Sequence, residues 1–215
     1  IYAFDEGNKA MKDLLGGKGA NLAEMKRLGL PVPDGFTLTT EACIEYLKQG
    51  AHLSDELIGQ LHEQLEAFSQ RTQKSFSSKE SLLLVSVRSG AKISMPGMMD
   101  TILNLGLNDN NVKTLAEKTN DARFAYDCYR RLLQMFGEVV YGIPMTSFDT
   151  YFNQYKAQHD YQSDADIPAE GLEEICDYFK GVYLEEVYKP FPQEPIVQLT
   201  EAIEAVFKSW DNDRA

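Results

Sequence analysis

An apolar run in the middle of the chain ends abruptly on polar and small residues. The run covers residues 82–87 and is followed at once by Arg88, Ser89 and Gly90. A short apolar run bounded in this way is typical of a buried strand, and a loop rich in small residues and Met follows it. We therefore predict a buried strand that carries the Arg88 side chain to the edge of a cleft.

The residue types after this strand favour binding of an anion. The planar guanidinium of Arg88 keeps its charge at any physiological pH and matches the oxygens of a phosphate. Gly90 and Gly97 would allow backbone N–H groups to come close to such an anion. A solvated arginine followed by an ordinary turn would have the same pattern, so the residue types alone leave both interpretations open.

A second glycine-rich stretch lies near the N-terminus, where residues 14–22 read LLGGKGANL. Apolar residues then recur at helical spacing, which predicts a glycine loop that opens a helix. The start of a helix offers free N–H groups and a partial positive charge, and Lys18 adds a full charge, so together they favour a phosphate. The stretch is not a Walker A loop, because Gly19 follows Lys18. A glycine-rich turn with an exposed lysine is the alternative.

The first half of the chain otherwise predicts short strands and helices. An edge strand is expected at residues 1–4, and residues 30–38 are expected to form a proline-containing turn that leads into a short strand. Thr39 or Thr40 is expected to cap a helix that runs to about Lys48, and Ser54 to open the next helix. The second half is predicted to be different in character.

From about Asn111 to Lys189 the apolar periodicity is helical, with no convincing strand. One long helix should end near residues 142–144, and Ser147 is expected to cap the helix after it. Three prolines at positions 190, 192 and 195 mark the end of this segment. A final helix is predicted beyond them, with Trp210 on its apolar face.

Composition limits the classes of function. The net charge is −12, so nonspecific binding of nucleic acid is not expected, and a phosphate site has to be built from local cations. The three cysteines lie far apart without a CxxC pair, which favours a reducing compartment and argues against a zinc site. No signal peptide, transit segment or apolar run of membrane length is evident. We expect a soluble cytoplasmic protein that does not bind membranes, with a few residues missing before Ile1.

Two stretches closely resemble the nucleotide-binding domain of the pyruvate, phosphate dikinase family. They are residues 4–43, FDEGNKAMKDLLGGKGANLAEMKRLGLPVPDGFTLTTEAC, and residues 87–109, VRSGAKISMPGMMDTILNLGLND. Related enzymes such as phosphoenolpyruvate (PEP) synthase, rifampicin phosphotransferase and the glucan dikinases share the K-G-x-N-L and V-R-S motifs. They usually lack the MPGMMDT loop, which therefore favours the pyruvate, phosphate dikinases.

The resemblance implies an α+β, helix-rich fold: the first lobe of an ATP-grasp fold with an all-helical insertion. Residues 1–108 and 194–215 would form the lobe with its phosphate-binding loops, and residues 109–193 the insertion subdomain. ATP would lie between this lobe and a second one that carries the adenine pocket. The second lobe would follow Ala215, so the chain resembles a domain truncated before it. The phosphohistidine domain and the pyruvate-binding barrel would also lie elsewhere.

The resemblance also implies a set of site residues. Lys18 and Arg88 would be the catalytic cations that bind the nucleotide phosphates. The remaining nucleotide-binding residues would be Ser94, Met95, Gly97, Met98, Asp100 and Thr101. No complete metal site is evident, because Asp100 is the single carboxylate of this loop and could equally anchor it. Ligands of Mg²⁺ are expected mainly outside the chain.

The implied activity is that of an ATP-dependent phosphotransferase with two acceptors. The β-phosphoryl group of ATP passes to a histidine on another domain of the same enzyme, inorganic phosphate takes the γ-phosphoryl group, and AMP and pyrophosphate leave. The phosphohistidine then converts pyruvate to phosphoenolpyruvate. The full-length enzyme would be a homodimer, and this chain alone would lack activity. A related dikinase and a non-catalytic binding module are the alternatives.

Overall fold

The computed structural model describes residues 1–90 and 101–211. In this part of the chain the strands are β1 (Tyr2–Ala3), β2 (Phe36–Thr37), β3 (Val85–Arg88) and β4 (Thr101–Leu105). The helices are α1 (Lys12–Arg27), α2 (Thr40–Lys48), α3 (Asp55–Thr72), α4 (Asn111–Thr119), α5 (Ala122–Val140), α6 (Met145–Gln158), α7 (Ala169–Val187) and α8 (Pro195–Ser209). Short 3-10 turns cover Phe4–Glu6, Lys9–Met11 and Asp164–Asp166. The α+β, helix-rich character that the sequence predicts is confirmed.

The chain divides into two compact units. Of the described residues, 1–74, 88–90, 101 and 203–211 belong to the first, and 75–87 and 102–202 belong to the second. Residues 91–100 and 212–215 lie outside the described part. Helix α8 contributes its first half to the second unit and its last turns to the first.

The first unit packs α1, α2 and α3 with a two-stranded sheet. Strands β1 and β2 are antiparallel, with Tyr2 opposite Thr37 and Ala3 opposite Phe36. One part of its core lies along α1, where small side chains allow close packing: Leu15, Ala20 and Ala23 are buried, with Tyr2, Met11 and Leu14 against them.

Side-chain caps begin two of its helices where the sequence predicts them. The Thr39 hydroxyl accepts a hydrogen bond from the Ala42 N–H at 3.1 Å, and the Ser54 hydroxyl accepts one from the Leu57 N–H at 3.1 Å. Such caps satisfy N–H groups that have no partner within the helix. Thr39 is therefore the cap of α2, and Thr40 is its first residue.

The second unit is built around α5, which packs against α4, α6 and α7. Aromatic rings fill the space between these helices at steep angles; the Phe148 and Phe179 centroids, for example, are 4.9 Å apart with an interplanar angle of 66°. Close approach depends on Gly137 in α5, where a Cβ would lie 2.8 Å from the Phe148 ring. The predicted all-helical character from Asn111 to Lys189 is confirmed for this segment.

A buried amide connects two loops of the second unit. The Gln198 side chain is fully buried. Its oxygen accepts a hydrogen bond from the Gly106 N–H at 2.9 Å, and its nitrogen donates to the carbonyl oxygens of Leu107 and Pro192 at 2.9 and 2.8 Å. These three backbone groups belong to irregular segments, so a side chain has to satisfy them.

This connection bears on the limits of the predicted insertion. Residues 102–108 and 194–202 lie in the same compact unit as helices α4 to α7, partly because Gln198 joins both segments through its hydrogen bonds. The division into an ATP-grasp lobe of residues 1–108 and 194–215 and an insertion of residues 109–193 stays a prediction.

Three local expectations need correction. The strand within the apolar run begins only at Val85, and its residues alternate between half-buried and exposed rather than being buried on both sides; Ser86 and Arg88 lie on its exposed side because successive side chains point to opposite faces. Helix α6 begins at Met145, so Ser147 lies inside its first turn, and its hydroxyl donates to Glu186 at 3.1 Å. Trp210 follows the last residue of α8.

None of the helices in the described part of the chain is both long and apolar enough to cross a membrane.

Replacement of Gln198 by leucine should destabilise the second unit strongly. The Gly106 N–H and the carbonyls of Leu107 and Pro192 would be left buried without partners, at about 1–3 kcal/mol each, or roughly 3 kcal/mol or more in total. Val197→Ala, at the exposed neighbouring position, is the control and should cost less than about 1 kcal/mol. Urea unfolding followed by circular dichroism compares the two, and similar midpoints would contradict the role of the amide.

Candidate functional site

Helix α1 is interrupted at Gly16, four residues after its start. Gly16 has φ 71° and ψ 171°, whereas the residues on both sides are helical. Only glycine adopts this backbone region without strain. The predicted glycine loop that opens a helix is therefore a single-residue break, and Lys18 lies in the first turn after it.

The backbone of Gly90 lies against this break. A Cβ at Gly16 would overlap the Gly90 carbonyl oxygen and would lie 3.1 Å from its carbonyl carbon. Gly90 follows β3 by two residues, and Gly16 precedes Lys18 by two residues. The two glycine-rich stretches of the sequence, about seventy positions apart, thus meet within the first unit.

Along the chain, each of the two predicted cations lies two residues from one of these glycines. Lys18 is exposed on α1, and Arg88 is exposed at the last position of β3. Between Arg88 and Gly90, Ser89 is buried, with 2% of its surface exposed. The structure brings the backbones of the two segments together; that the two charged ends share one anion stays a prediction.

Of the other predicted nucleotide-binding residues, Thr101 lies in the described part of the chain. Thr101 is half-buried as the first residue of β4, in the strand pair with β3. Ser94, Met95, Gly97, Met98 and Asp100 lie outside the described residues. The functional roles of all these residues stay predictions.

The segment from β2 into α2 contacts α1 on both sides of the break. A Cβ at Gly19 would lie 3.0 Å from the Thr37 methyl carbon, so the helix packs directly on this side chain. Before the break, the Asp13 carbonyl oxygen accepts a hydrogen bond from the Thr40 hydroxyl at 2.6 Å. Sequence reasoning considered Thr40 only as a cap; the second hydroxyl of a Thr-Thr pair, unnecessary for capping, was the available signal.

Comparison with known proteins assigns the chain to a family. The family model described as "Pyruvate phosphate dikinase, AMP/ATP-binding domain" matches residues 12–58 and 49–215. The chain belongs to this family. The resemblance of residues 4–43 and 87–109 to the pyruvate, phosphate dikinases is thereby confirmed.

Similar curated proteins come from distant organisms. Pyruvate, phosphate dikinase of Clostridium symbiosum is 50% identical over all of this chain and 25% of its own length. The chloroplastic pyruvate, phosphate dikinase of Flaveria trinervia is 51% identical over 98% of the chain and 22% of its own length. Pyruvate, phosphate dikinase of Giardia intestinalis is 48% identical over all of the chain and 25% of its own length. The chain spans about a quarter of the length of these relatives.

Within this dikinase domain, the geometry around the helix break suits an anion. A helix start with an exposed lysine, next to a strand end with an exposed arginine, combines N–H donors with two fixed charges. Among residues 1–90 and 101–211, no group of three or more His, Cys, Asp or Glu side chains could hold a metal ion. That Lys18 and Arg88 bind phosphate, and that the ligands of Mg²⁺ lie mainly outside the chain, stay predictions.

The Cys43 thiol is not a good candidate for a catalytic nucleophile. Cys43 on α2 is buried, and this burial raises the pKa of its thiol to about 11. The thiolate is the reactive form, so Cys43 is neutral and unreactive near pH 7. The same burial raises the pKa of the Tyr46 hydroxyl, one turn later, to about 12.

A groove of about 220 Å³ in the second unit is an alternative place for a ligand. Its lining includes Asp109, Tyr129, Asp177 and Lys180. The Asp109 carboxylate accepts from the Tyr129 hydroxyl at 2.7 Å and from the Lys180 ammonium at 2.8 Å, and Lys180 also pairs with Asp177 at 2.9 Å. Burial alone would raise the pKa of Asp109, but these hydrogen bonds outweigh it and lower the pKa. These charges already satisfy one another, so the network serves to join helices.

The contact between the two glycines gives a matched pair of substitutions. Gly16→Ala would place a Cβ on the Gly90 carbonyl. It would also hold alanine in a backbone conformation suited only to glycine, which should lower the free energy of unfolding by about 1–3 kcal/mol. Gly90→Ala would bring its Cβ no closer than 3.5 Å, to the Leu15 carbonyl oxygen, which is ordinary contact. Thermal unfolding should show a large decrease in Tm for the first variant and a small one for the second. Equal decreases would mean that the two backbones are not in contact.

Proposed function

We propose that this chain is the nucleotide-binding part of a pyruvate, phosphate dikinase. The enzyme would transfer the β-phosphoryl group of ATP to a histidine on another domain and the γ-phosphoryl group to inorganic phosphate, with release of AMP and pyrophosphate. The phosphohistidine would then phosphorylate pyruvate to phosphoenolpyruvate. The proposal makes the full-length protein a phosphotransferase of pyruvate metabolism.

One observation carries the proposal beyond family membership: the contact between Gly16 and Gly90, which lie two residues from Lys18 and from Arg88. Phosphoryl transfer depends on positioning and on cancelling charge on the phosphoryl oxygens, rather than on covalent help from the site. Two cations from separate segments, joined by a close backbone contact, would meet that requirement.

Each residue has a proposed role. The Lys18 ammonium and the helix start around it would bind phosphate oxygens, and the Arg88 guanidinium would bind oxygens of the moving phosphoryl group through its two parallel donors. Backbone N–H groups and hydroxyls of residues 94–101, with Asp100 and Thr101 at the end, would complete the phosphate loop. Mg²⁺ would neutralise further phosphate charge, and we assign no described residue to it.

The remaining parts of the proposal concern the whole protein. The names of the relatives refer to chains about four times as long, so the phosphohistidine domain, the pyruvate site and a homodimeric assembly are proposed for the full-length protein. The ATP-grasp architecture, with this chain as its first lobe, and the cytoplasmic location are proposed on the family resemblance as well.

Arg88→Lys in the full-length protein should impair formation of the phosphoenzyme much more than folding. Lysine keeps the charge but lacks the two-pronged geometry, and losing one such electrostatic donor typically costs about 2–4 kcal/mol of transition-state stabilisation. Rapid-quench measurement of phosphohistidine, with Tm measured in parallel, tests this. Arg71→Lys is a matched control, because Arg71 is a half-exposed arginine of the same unit that pairs with Asp34 at 3.0 Å. Phosphoenzyme formation at the wild-type rate in Arg88→Lys would make Arg88 a structural residue.

Residues 1–215 expressed alone should not form phosphoenolpyruvate and should bind ATP·Mg²⁺ weakly. The phosphate ligands of an isolated lobe would face water, where charge pairs contribute little. Isothermal titration calorimetry with the 215-residue chain measures this directly. Binding in the micromolar range would show that the ATP site is complete within these residues.

The alternatives differ in the acceptor of the γ-phosphoryl group. PEP synthase uses water where a pyruvate, phosphate dikinase uses phosphate, so the dependence of AMP formation on added phosphate separates them. The relatives reported above are all named pyruvate, phosphate dikinase, which favours phosphate as acceptor. A non-catalytic binding module would form no AMP under either condition.

A further inference from the structure

The turn that carries Lys18 is held by one short segment of the first unit, residues 37–40. Thr37 packs on Gly19, after the break in α1, and Thr40 hydrogen-bonds to the Asp13 carbonyl, before the break. The two contacting residues, Thr37 and Thr40, are three positions apart on this segment. The segment therefore fixes the two parts of α1 relative to each other across Gly16.

The hydrogen bond to Asp13 lies in the turn of α1 that precedes the break. In an uninterrupted helix each carbonyl accepts from the N–H four residues later, and a break disturbs this pattern in the turn before it. The Thr40 hydroxyl donates to the Asp13 carbonyl oxygen at 2.6 Å. Capping of α2 does not need this hydroxyl, because Thr39 already accepts from the Ala42 N–H.

The segment is itself firmly anchored. Cys43 and Tyr46, on the helix that starts at Thr40, are both buried. The Tyr46 ring lies 5.4 Å from the Phe207 ring, and the Cys43 sulfur lies 3.8 Å from the Phe207 carbonyl oxygen. Movement of Thr40 would require repacking of these side chains, so the hydroxyl is a fixed reference point for the Asp13 carbonyl.

We infer that Thr40 is a positioning residue for the nucleotide-phosphate site. Through the Asp13 carbonyl it sets the angle at Gly16, and this angle sets where the Lys18 ammonium lies. This role rests on the proposed function, since it acts on the phosphates through Lys18. Thr40 contributes no atom to the reaction.

The test compares two variants of the full-length protein in steady-state formation of AMP from ATP. Thr40→Val keeps the shape of the side chain but loses the donor, and Thr40→Ser keeps the donor. Loss of one hydrogen bond changes an equilibrium constant by about threefold to tenfold. We therefore expect Thr40→Val to increase KM for ATP by about that factor. Thr40→Ser should restore KM to within about twofold of the wild-type value. Ile44→Val, at an exposed position of the same helix, is the control and should match the wild type.

A purely structural role would give a different result. A destabilised protein has a smaller active fraction, which lowers kcat and Tm but leaves KM for ATP unchanged. That outcome with Thr40→Val overturns the inference, as does an equal increase in KM for Thr40→Ser. Should Thr40→Val fail to fold, Thr40→Ala removes the same donor with less bulk and is read by the same criteria.

A second background separates this inference from the proposed function. In Lys18→Met the charge is absent, so adding Thr40→Val should change KM for ATP by less than about twofold if Thr40 acts through Lys18. The full threefold to tenfold effect in that background overturns the positioning role and leaves the phosphate site intact. Wild-type kinetics for Lys18→Met alone would overturn both proposals.

Discussion

Contact between two backbones that carry no side chains determines where the candidate site lies. Gly16 and Gly90 approach so closely that a Cβ at Gly16 would overlap the Gly90 carbonyl. The approach requires a glycine at Gly16 for conformational reasons also, because φ 71° with ψ 171° excludes other residues. Since Lys18 and Arg88 follow and precede these glycines by two residues, their positions depend on the contact.

The second unit relies on a different kind of interaction. Its helices pack through aromatic rings and through a glycine in α5, while the irregular segments around β4 are joined by the buried amide of Gln198. Hydrophobic packing alone does not specify where loops lie, whereas three short hydrogen bonds from one side chain do. In the first unit a close backbone contact fixes the position of a turn. In the second unit hydrogen bonds of one side chain fix the positions of loops.

Much of this fold could be predicted from local sequence. Thr39 and Ser54 are polar residues immediately before apolar periodicity, and both cap helices as expected. The break at Gly16 could be anticipated from the glycines but not located, because Gly17 and Gly19 fit the same pattern. The strand at Val85 was harder still. Its residues alternate between half-buried and exposed because of the segments that pack against it, and a run of apolar residues does not indicate which segments those are.

The candidate site was predictable in its residue types rather than in its contacts. Lys18 and Arg88 stood out as cations beside glycines, and family membership supports their choice. The Thr40 hydrogen bond to Asp13 was not predictable, because the two residues are 27 positions apart and a carbonyl acceptor leaves no trace in the sequence. Folding brings this hydroxyl and this backbone oxygen together.

The two adjacent threonines therefore obey different substitution rules despite identical side chains. Thr39 accepts a hydrogen bond, so any short acceptor, whether serine, aspartate or asparagine, can take its place. Thr40 donates to a carbonyl, and a carboxylate there would face the oxygen with no proton to share. A natural variant with aspartate at position 39 would keep the cap of α2. Aspartate at position 40 would instead repel the Asp13 carbonyl and displace the turn before Gly16.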